Sequence, residues 1–369
     1  MPRRLQMSTS VQAPSEFDRS VAIRKASAPS RGVMGNLGQR FLWPALRTVV
    51  PFQLWPRLSR VSLVVPFYHM VSDAEVPHVR HLYRFRTVRE FEADLEFFVR
   101  HFTPVELEDV VASLVGERCL PPRAFHLTFD DGFREMHDVV APLLRKKGVP
   151  ATFFLNTAFL DQGGMAHHNK ISLLLHRISR PISNRILREI EKLLPPSLNS
   201  DGNLESRLLA IRYADRETVD RMAAIAEIDI NQYIKLNRPY LSSEEIFSLR
   251  RLGFTIGAHS IDHPLYADLS AEEQLRQTRV SMDFILTKFG VRTRAFAFPH
   301  NDDGVSHEFF DPVFATGVAD VCFGTRGLVR HFHPRNVERF SMEKTTDAAK
   351  SIIARQYARA LYYQSLRKH

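Results

Sequence analysis

The sequence predicts an α/β fold built on a parallel sheet, with a helical insertion. Three observations predict it. Short apolar strands alternate with helices through short connections, the rhythm of parallel α/β folds. Several of these strands end in polar, reactive residues, where such folds build their sites. Residues 162–241 break the rhythm, with helical periodicity and no clear strand.

Ser62-Leu-Val-Val-Pro-Phe-Tyr68 reads as a buried strand ending at His69. Thr87 and Glu90 form a capping-box pattern ahead of a helix to His101, and Phe91, Leu95, Phe98 and Phe102 recur at helical spacing. A second helix is expected over 106–115. Ala124 to Phe129 is a strand ending at Asp130-Asp131-Gly132, followed by a helix stopped near Gly148 and Pro150. Ala151 to Leu155 is the next strand. Within the insertion, helical patterns run over 171–194, 204–213 and 216–226, separated by Pro195-Pro196 and Asn199-Ser-Asp-Gly-Asn203. Alternation then resumes. Ser242 with Glu245 caps a helix to Arg251, and Phe254 to Ala258 is a strand ending at His259. Ser270 with Glu273 starts a helix to Phe289, and Arg294 to Phe298 is a strand ending at Pro299. A helix near 306–316, a strand at 320–323 and a terminal helix over about 346–366 complete the reading.

The chain has 369 residues, 44% apolar and 25% charged, which excludes wholly disordered and fibrous classes. Two cysteines, Cys119 and Cys322, exclude a disulfide framework and a cysteine-rich zinc module. Net charge is +9 and there are 16 histidines. Residues 1–40 hold seven Lys/Arg against two acids and little apolar periodicity, and read as a disordered basic arm. Residues 41–60 read as a packed lead-in or, because Trp43 and Trp55 sit among arginines, as an interfacial segment. The main domain is placed at 61–345 and a basic terminal helix at 346–369. No apolar signal-peptide core is visible and prolines and arginines interrupt the most apolar stretch, so a cytoplasmic protein is expected, with peripheral contact to an anionic inner membrane.

Sixteen histidines matter only where their spacing matches a chemistry. His259-Ser-Ile-Asp-His263 is an i, i+4 pair just past a strand; a helical first turn there would aim both imidazoles at one metal. Asp130 and Asp131 are adjacent carboxylates that repel unless a cation or a hydrogen-bond network is present. Together they describe a His₂Asp site with open positions, as in catalytic zinc centres. One aspartate would ligate while the other serves as base.

These residues carry a resemblance. Thr128-Phe-Asp-Asp-Gly132 and His259-Ser-Ile-Asp-His263 resemble the first two motifs of the polysaccharide deacetylase family, the NodB-homology or family-four carbohydrate esterases. Phe67-Tyr-His-Met-Val71, Val149-Pro-Ala-Thr-Phe-Phe154, Gly253-Phe-Thr-Ile-Gly-Ala-His-Ser260 and Ala295-Phe-Ala-Phe-Pro299 are similar to further family segments, in order, over about 60–160 and 240–340. The resemblance implies a distorted (β/α) barrel of the polysaccharide deacetylase type and removal of acetyl groups from N- or O-acetylated sugars. It implies Asp131, His259 and His263 as ligands of a divalent metal, zinc first with cobalt, nickel or iron as alternatives, and Asp130 as base. His300 would offer its backbone N–H to the oxyanion beside Pro299, with His69 on the same rim.

The sequence departs from the family where an arginine usually precedes the third-motif proline by two residues. Ala297 stands there, and Arg339 is expected to orient Asp130 instead. The late leucine–histidine motif that supplies the acid has two candidates, Leu328-Val-Arg-His331 and Phe332-His333. The expected substrate is an intracellular acetylated sugar or glycan intermediate. A catalytically inactive carbohydrate-binding member is the alternative. Nucleic-acid binding is not expected, because the basic residues are not interleaved with aromatics in a recognisable module.

Overall fold

The computed structural model describes residues 50–198 and 202–366. The expected arm at 1–40, Trp43, Asn199 to Asp201, Arg367 and Lys368 lie outside the described residues. Among the described residues no helix is long and apolar enough to cross a membrane.

The chain enters through a 3-10 turn (Phe52–Leu54) and a short helix α1 (Trp55–Ser59). Trp55 is 2% exposed and belongs to the core, which removes it from the interfacial reading of this segment. Strands β1 (Leu63–Val64) and β2 (Pro66–Tyr68) follow as one run broken at Val65. Helix α2 (Val88–His101) starts at the expected box. The Glu90 N–H donates to Thr87 Oγ1 at 3.2 Å, and the Thr87 N–H returns to Glu90 Oε2 at 2.9 Å. Its buried face is Phe91, Leu95 and Phe98. Then come β3 (Thr103–Pro104), α3 (Leu107–Leu114), β4 (Ala124–Phe125) and β5 (Leu127–Phe129). The next helix opens as a π turn (Met136–Val140), continues as α4 (Ala141–Lys147) and stops at Gly148 in the left-handed region. Strand β6 is Ala151–Leu155.

The insertion is helical, as its periodicity predicts. It comprises α5 (His167–Ile178), α6 (Asn184–Lys192), α7 (Leu204–Leu209), α8 (Arg216–Ile225) and α9 (Ile230–Asn237). The single helix expected over 171–194 is two helices, because Pro181 cannot continue one and Ser183 caps the next. Ile171, Leu174, Ile190, Leu208, Val219 and Met222 give the insertion its own core. The chain returns through α10 (Ser243–Arg251), β7 (Thr255–Ala258), α11 (Ala271–Phe289), β8 (Ala295–Ala297), α12 (His307–Ala315) and β9 (Val321–Gly324). At α11 only half of the expected box forms. Ser270 accepts the Glu273 N–H, while the Glu273 carboxylate turns to Arg276 at 2.6 and 2.7 Å. Strands β10 (Asn336–Glu338) and β11 (Phe340–Ser341), both unexpected from the sequence, precede the last helix α13 (Ala349–Leu366).

All pairings in the main sheet are parallel, in the order β10-β9-β8-β7-β6-β5-β2-β11. Its two ends are one segment of chain. β10 pairs with β9, the chain passes Arg339, and β11 pairs with β2. The Arg339 N–H donates to Gly324 O at 3.1 Å and the Phe340 N–H to Val65 O at 3.2 Å, so the ladder changes partner between these two residues and the sheet closes into a (β/α) barrel. β5, β6, β8 and β9 are buried along their whole length, as expected of strands covered on both faces. Inside β7, Gly257 is required by close approach: a Cβ there would lie 2.5 Å from the Phe154 ring and 2.7 Å from Ala295 O. A three-stranded parallel extension, β1-β4-β3, continues the same strands away from the site.

Candidate active site

Parallel pairing brings the carboxyl ends of β2, β5, β7 and β8 to one rim. The Asp130 N–H donates to Tyr68 O at 2.9 Å and the His259 N–H to Leu155 O at 2.8 Å, so each ladder continues one residue into the site. Beyond that point the backbone turns sharply. Asp131 (φ 71°), Ser260 (φ 69°), His263 (φ 63°) and His300 (φ 59°) all occupy the left-handed region without being glycine. Such residues cost about 1–3 kcal/mol each and persist where a site over-determines them.

Asp131, His259 and His263 come together, with donor atoms all within 4.8 Å of one another and every side chain buried. His263 Nε2 is 3.1 Å and His259 Nε2 is 3.5 Å from Asp131 Oδ1, an oxygen with no hydrogen-bond partner. A helical turn does not achieve this. Residues 259–263 form a non-helical loop in which Ser260 Oγ accepts the His263 N–H at 3.0 Å. Asn156, at the end of β6, donates its side-chain amide to His259 O, and Tyr213 of the insertion donates its hydroxyl to Asp262. Ring atom Nδ1 of His259 donates to Ala297 O at 2.8 Å, which fixes the tautomer and leaves the Nε2 lone pair facing Asp131. Burial pushes His259 down to about 4, so its imidazole is neutral near pH 7. Burial would raise the Asp131 carboxyl, but its histidine neighbours, His263 first, hold it well below the usual range. An orphaned carboxylate oxygen facing a neutral imidazole of fixed tautomer fits a divalent metal ion.

Asp130 sits beside this set and is clamped. Arg339 Nη1 and Nη2 donate to its two oxygens at 2.7 and 2.9 Å, and Nη1 also reaches Thr128 Oγ1 at 3.1 Å. Both side chains are almost wholly buried. The guanidinium lies over the rings of Phe67 and Phe154, 4.8 and 5.3 Å from their centroids. Burial would raise the Asp130 carboxyl, but Arg339 and then His259 outweigh it and keep it below the ordinary value. The carboxylate is therefore ionised and oriented at neutral pH. Ala297 takes the place of the usual arginine, and Arg294 is engaged with Asp320 at 2.9 Å.

His69, at the end of β2, is held by Glu343. Its Nδ1 lies 2.7 Å from Glu343 Oε2, and the same carboxylate accepts the backbone N–H groups of His69 and Met70 at 2.9 to 3.0 Å. Burial alone would lower the His69 pKa, but Glu343 outweighs it and raises it to about 9. His300 brings its ring within 4.5 Å of His263, centroid to centroid, and Pro299 beside it is buried.

Two expectations from the sequence do not fit. His331 Nδ1 accepts the His333 N–H at 3.0 Å, and its Nε2 faces Asp302 at 3.4 Å in a buried knot with Glu338 and Asn336. Burial and Asp302 push Glu338 up to about 8. His333 stacks on Phe314 and Phe310, with ring centroids 4.4 and 5.4 Å apart, and its Nδ1 accepts the Arg335 N–H. The ring of His331 is thereby engaged by Asp302 and that of His333 by Phe314 and Phe310. Asp302 Oδ2 in turn accepts the Asn336 side-chain amide at 3.0 Å. The sequence reading missed His168, Glu343 and Asn156. His168 comes from α5 of the insertion and sets its ring 4.5 Å from His263 and 5.7 Å from His300. Its only sequence signal was the His167-His168 doublet at a helix start.

Comparison with known proteins bears on the fold. The polysaccharide deacetylase family model matches residues 117–194. The Streptococcus pyogenes deacetylase PplD in complex with acetate is similar in fold at 12% identity and a TM-score of 0.52, covering 80% of this chain and 98% of that one. The IcaB structure from Ammonifex degensii is similar at 16% identity and a TM-score of 0.50, covering 80% and 97%. No curated protein matches the chain by sequence. The resemblance to the polysaccharide deacetylase family therefore holds, and the architecture is the (β/α) barrel of that family.

Proposed function

We propose that the protein is a metal-dependent hydrolase that removes N-acetyl, or O-acetyl, groups from a sugar or glycan intermediate. The observation that carries this reading is the ionised Asp130, gripped by Arg339, beside the buried Asp131–His259–His263 donor set. A purely binding protein has no use for an oriented buried base. A divalent ion held by Asp131, His259 and His263 would supply a Lewis acid for water and for the acyl carbonyl. Asp130 accepts the proton of the attacking water, a role worth roughly 10²- to 10⁴-fold in rate. The Pro299–His300 turn offers the His300 N–H to the developing oxyanion. An amine leaves only when protonated. His69 is the acid in this reading, because Glu343 keeps it charged and holds Nδ1, leaving Nε2 for the leaving group. It replaces His333 and His331 in that role.

The test is acetate release from N-acetylglucosamine oligomers and O-acetylated glycans, with metal content measured on the same preparations. Asp130→Asn should lose at least about 100-fold in rate with its metal content unchanged, and His259→Ala should lose both metal and rate. Equal progress curves for the parent and Asp130→Asn would refute the reading.

A further inference from the structure

A second built feature lies at the opposite end of the barrel. A cavity of about 650 Å³ opens where the strands of the small sheet begin, lined by residues just before β1, β3 and β4. Asp130 follows the other end of the β4–β5 run, so the cavity and the base are roughly 20 Å apart at about 3.3 Å per residue. Arg57, Arg60, Arg100 and Arg123 line it with His101, and no Asp or Glu does.

Among the described residues, none of the four arginines forms an ion pair, and Arg123 reaches only the Gln53 carbonyl, at 3.4 Å. Burial and then Arg100, Arg123 and Lys350 push His101 below its ordinary pKa, as a local positive field should. Arg60 and Arg123 hold their side chains there from left-handed backbone, φ 53° and 57°. Apolar side chains also stand exposed on the surrounding elements: Leu54 and Leu58 at α1, and Tyr363 and Leu366 at the end of α13. α13 is fastened to α1 by Gln364 Nε2 donating to Ser59 O at 2.6 Å.

We propose that this arginine groove binds the phosphate of anionic phospholipid headgroups and seats the base of the barrel on a bilayer, with the catalytic rim facing away. Guanidinium pairs grip phosphate in a bidentate manner, and exposed leucines beside basic groups are the composition of a membrane-surface contact. The exposed apolar side chains favour a lipid over a free phosphate ester. The site is independent of the proposed hydrolysis.

The test is co-sedimentation of the full chain with phosphatidylglycerol and with phosphatidylcholine vesicles at low salt, against the Arg57, Arg60, Arg100 and Arg123 to Gln quadruple variant. Each basic group at an anionic surface contributes about five-fold in binding, so the quadruple variant should bind several-hundred-fold more weakly. The corresponding quadruple Lys variant keeps the charge but not the bidentate grip, and should bind more tightly than the Gln variant and more weakly than the parent. Acetate release and melting temperature, measured alongside, should be parent-like in both variants. If the Gln variant is misfolded, the Arg57→Gln/Arg100→Gln double variant, with both changes at exposed positions, should still lose about 25-fold. Equal pelleting of the parent and the Gln variants overturns the proposal, as does equal pelleting of the parent with phosphatidylcholine and phosphatidylglycerol vesicles. Thermal stabilisation by pyrophosphate with no vesicle binding overturns it in favour of a soluble phosphate ligand.

Discussion

Replacing Arg339 with methionine tests the site and the fold together. Methionine keeps most of the length of the side chain and removes both bonds to Asp130 and the charge. Deleting one partner of a buried ion pair costs about 3–5 kcal/mol, because the other charge is left uncompensated. At about 2.1 cal/mol/K of unfolding entropy per residue, 369 residues give about 0.8 kcal/mol/K, so the melting temperature should fall by roughly 4–6 °C. The loss should depend on pH. Asp130 has a lowered pKa when folded, so its contribution is present above the ordinary carboxylate value and disappears as pH falls through the folded value. Without Arg339, burial dominates and the carboxyl takes up a proton more readily. The gap in melting temperature should therefore be widest at pH 7–8 and close on acidification, while the acid limb of acetate release moves to higher pH. Thermal melts from about pH 3 to about pH 8, which span the ordinary carboxylate value, and a pH–rate profile read both effects. A parent-like melting temperature at pH 7, or coincident acid limbs, would refute the clamp.

Glu343→Gln should move the alkaline limb of activity to lower pH. His69 has a raised folded pKa of about 9, so the pair's stabilisation is full below the ordinary imidazole value and is lost as pH rises through about 9. The variant should melt lower than the parent below that range and equal it above. An unmoved alkaline limb would remove His69 from proton transfer. Gly324→Ala would place a Cβ 2.5 Å from Glu338 Oε2 and 2.7 Å from Asp302 Oδ1. Overpacking of that kind costs about 1–3 kcal/mol, a drop of roughly 1–4 °C, and an unchanged melting temperature would show that the acid knot yields freely.

The parts of the site that were legible in the sequence are those built by consecutive residues. Thr128 to Gly132 and His259 to His263 declare themselves because a strand end and its turn lie within five positions. The strands and capped helices around them follow from apolar periodicity and from Thr87, Ser242 and Ser270. The closing strands were illegible for a physical reason. β10 and β11 are three and two residues long, too short for alternation to register, and Asn336 and Glu338 read as a polar loop; Arg339, between the strands, was expected beside Asp130 but without the strands that place it. His168 was illegible because nothing in a helix-opening doublet says what it will face. The insertion reaches the rim only through tertiary bonds such as Tyr213 to Asp262.

The segment that hid from the sequence reading also sets the charges of both proposed proton-transfer groups. Within a stretch of extended chain beginning at Asn336, Arg339 grips Asp130 and Glu343 grips His69. The Phe340 and Met342 N–H groups, alternating between those two residues, donate to Val65 O and Phe67 O of the β2 region. Arg339 and Glu343 have the same parity along the chain, so the pleat sends both to the site while Phe340 and Met342 pack elsewhere in the core. A one-residue slip would reverse that assignment and withdraw the base's partner and the acid's partner together. Closing the barrel in the correct register is thus the same event as setting the charges of the two proposed proton carriers, and of the two partners only Arg339 was expected from the sequence, while Glu343 was not.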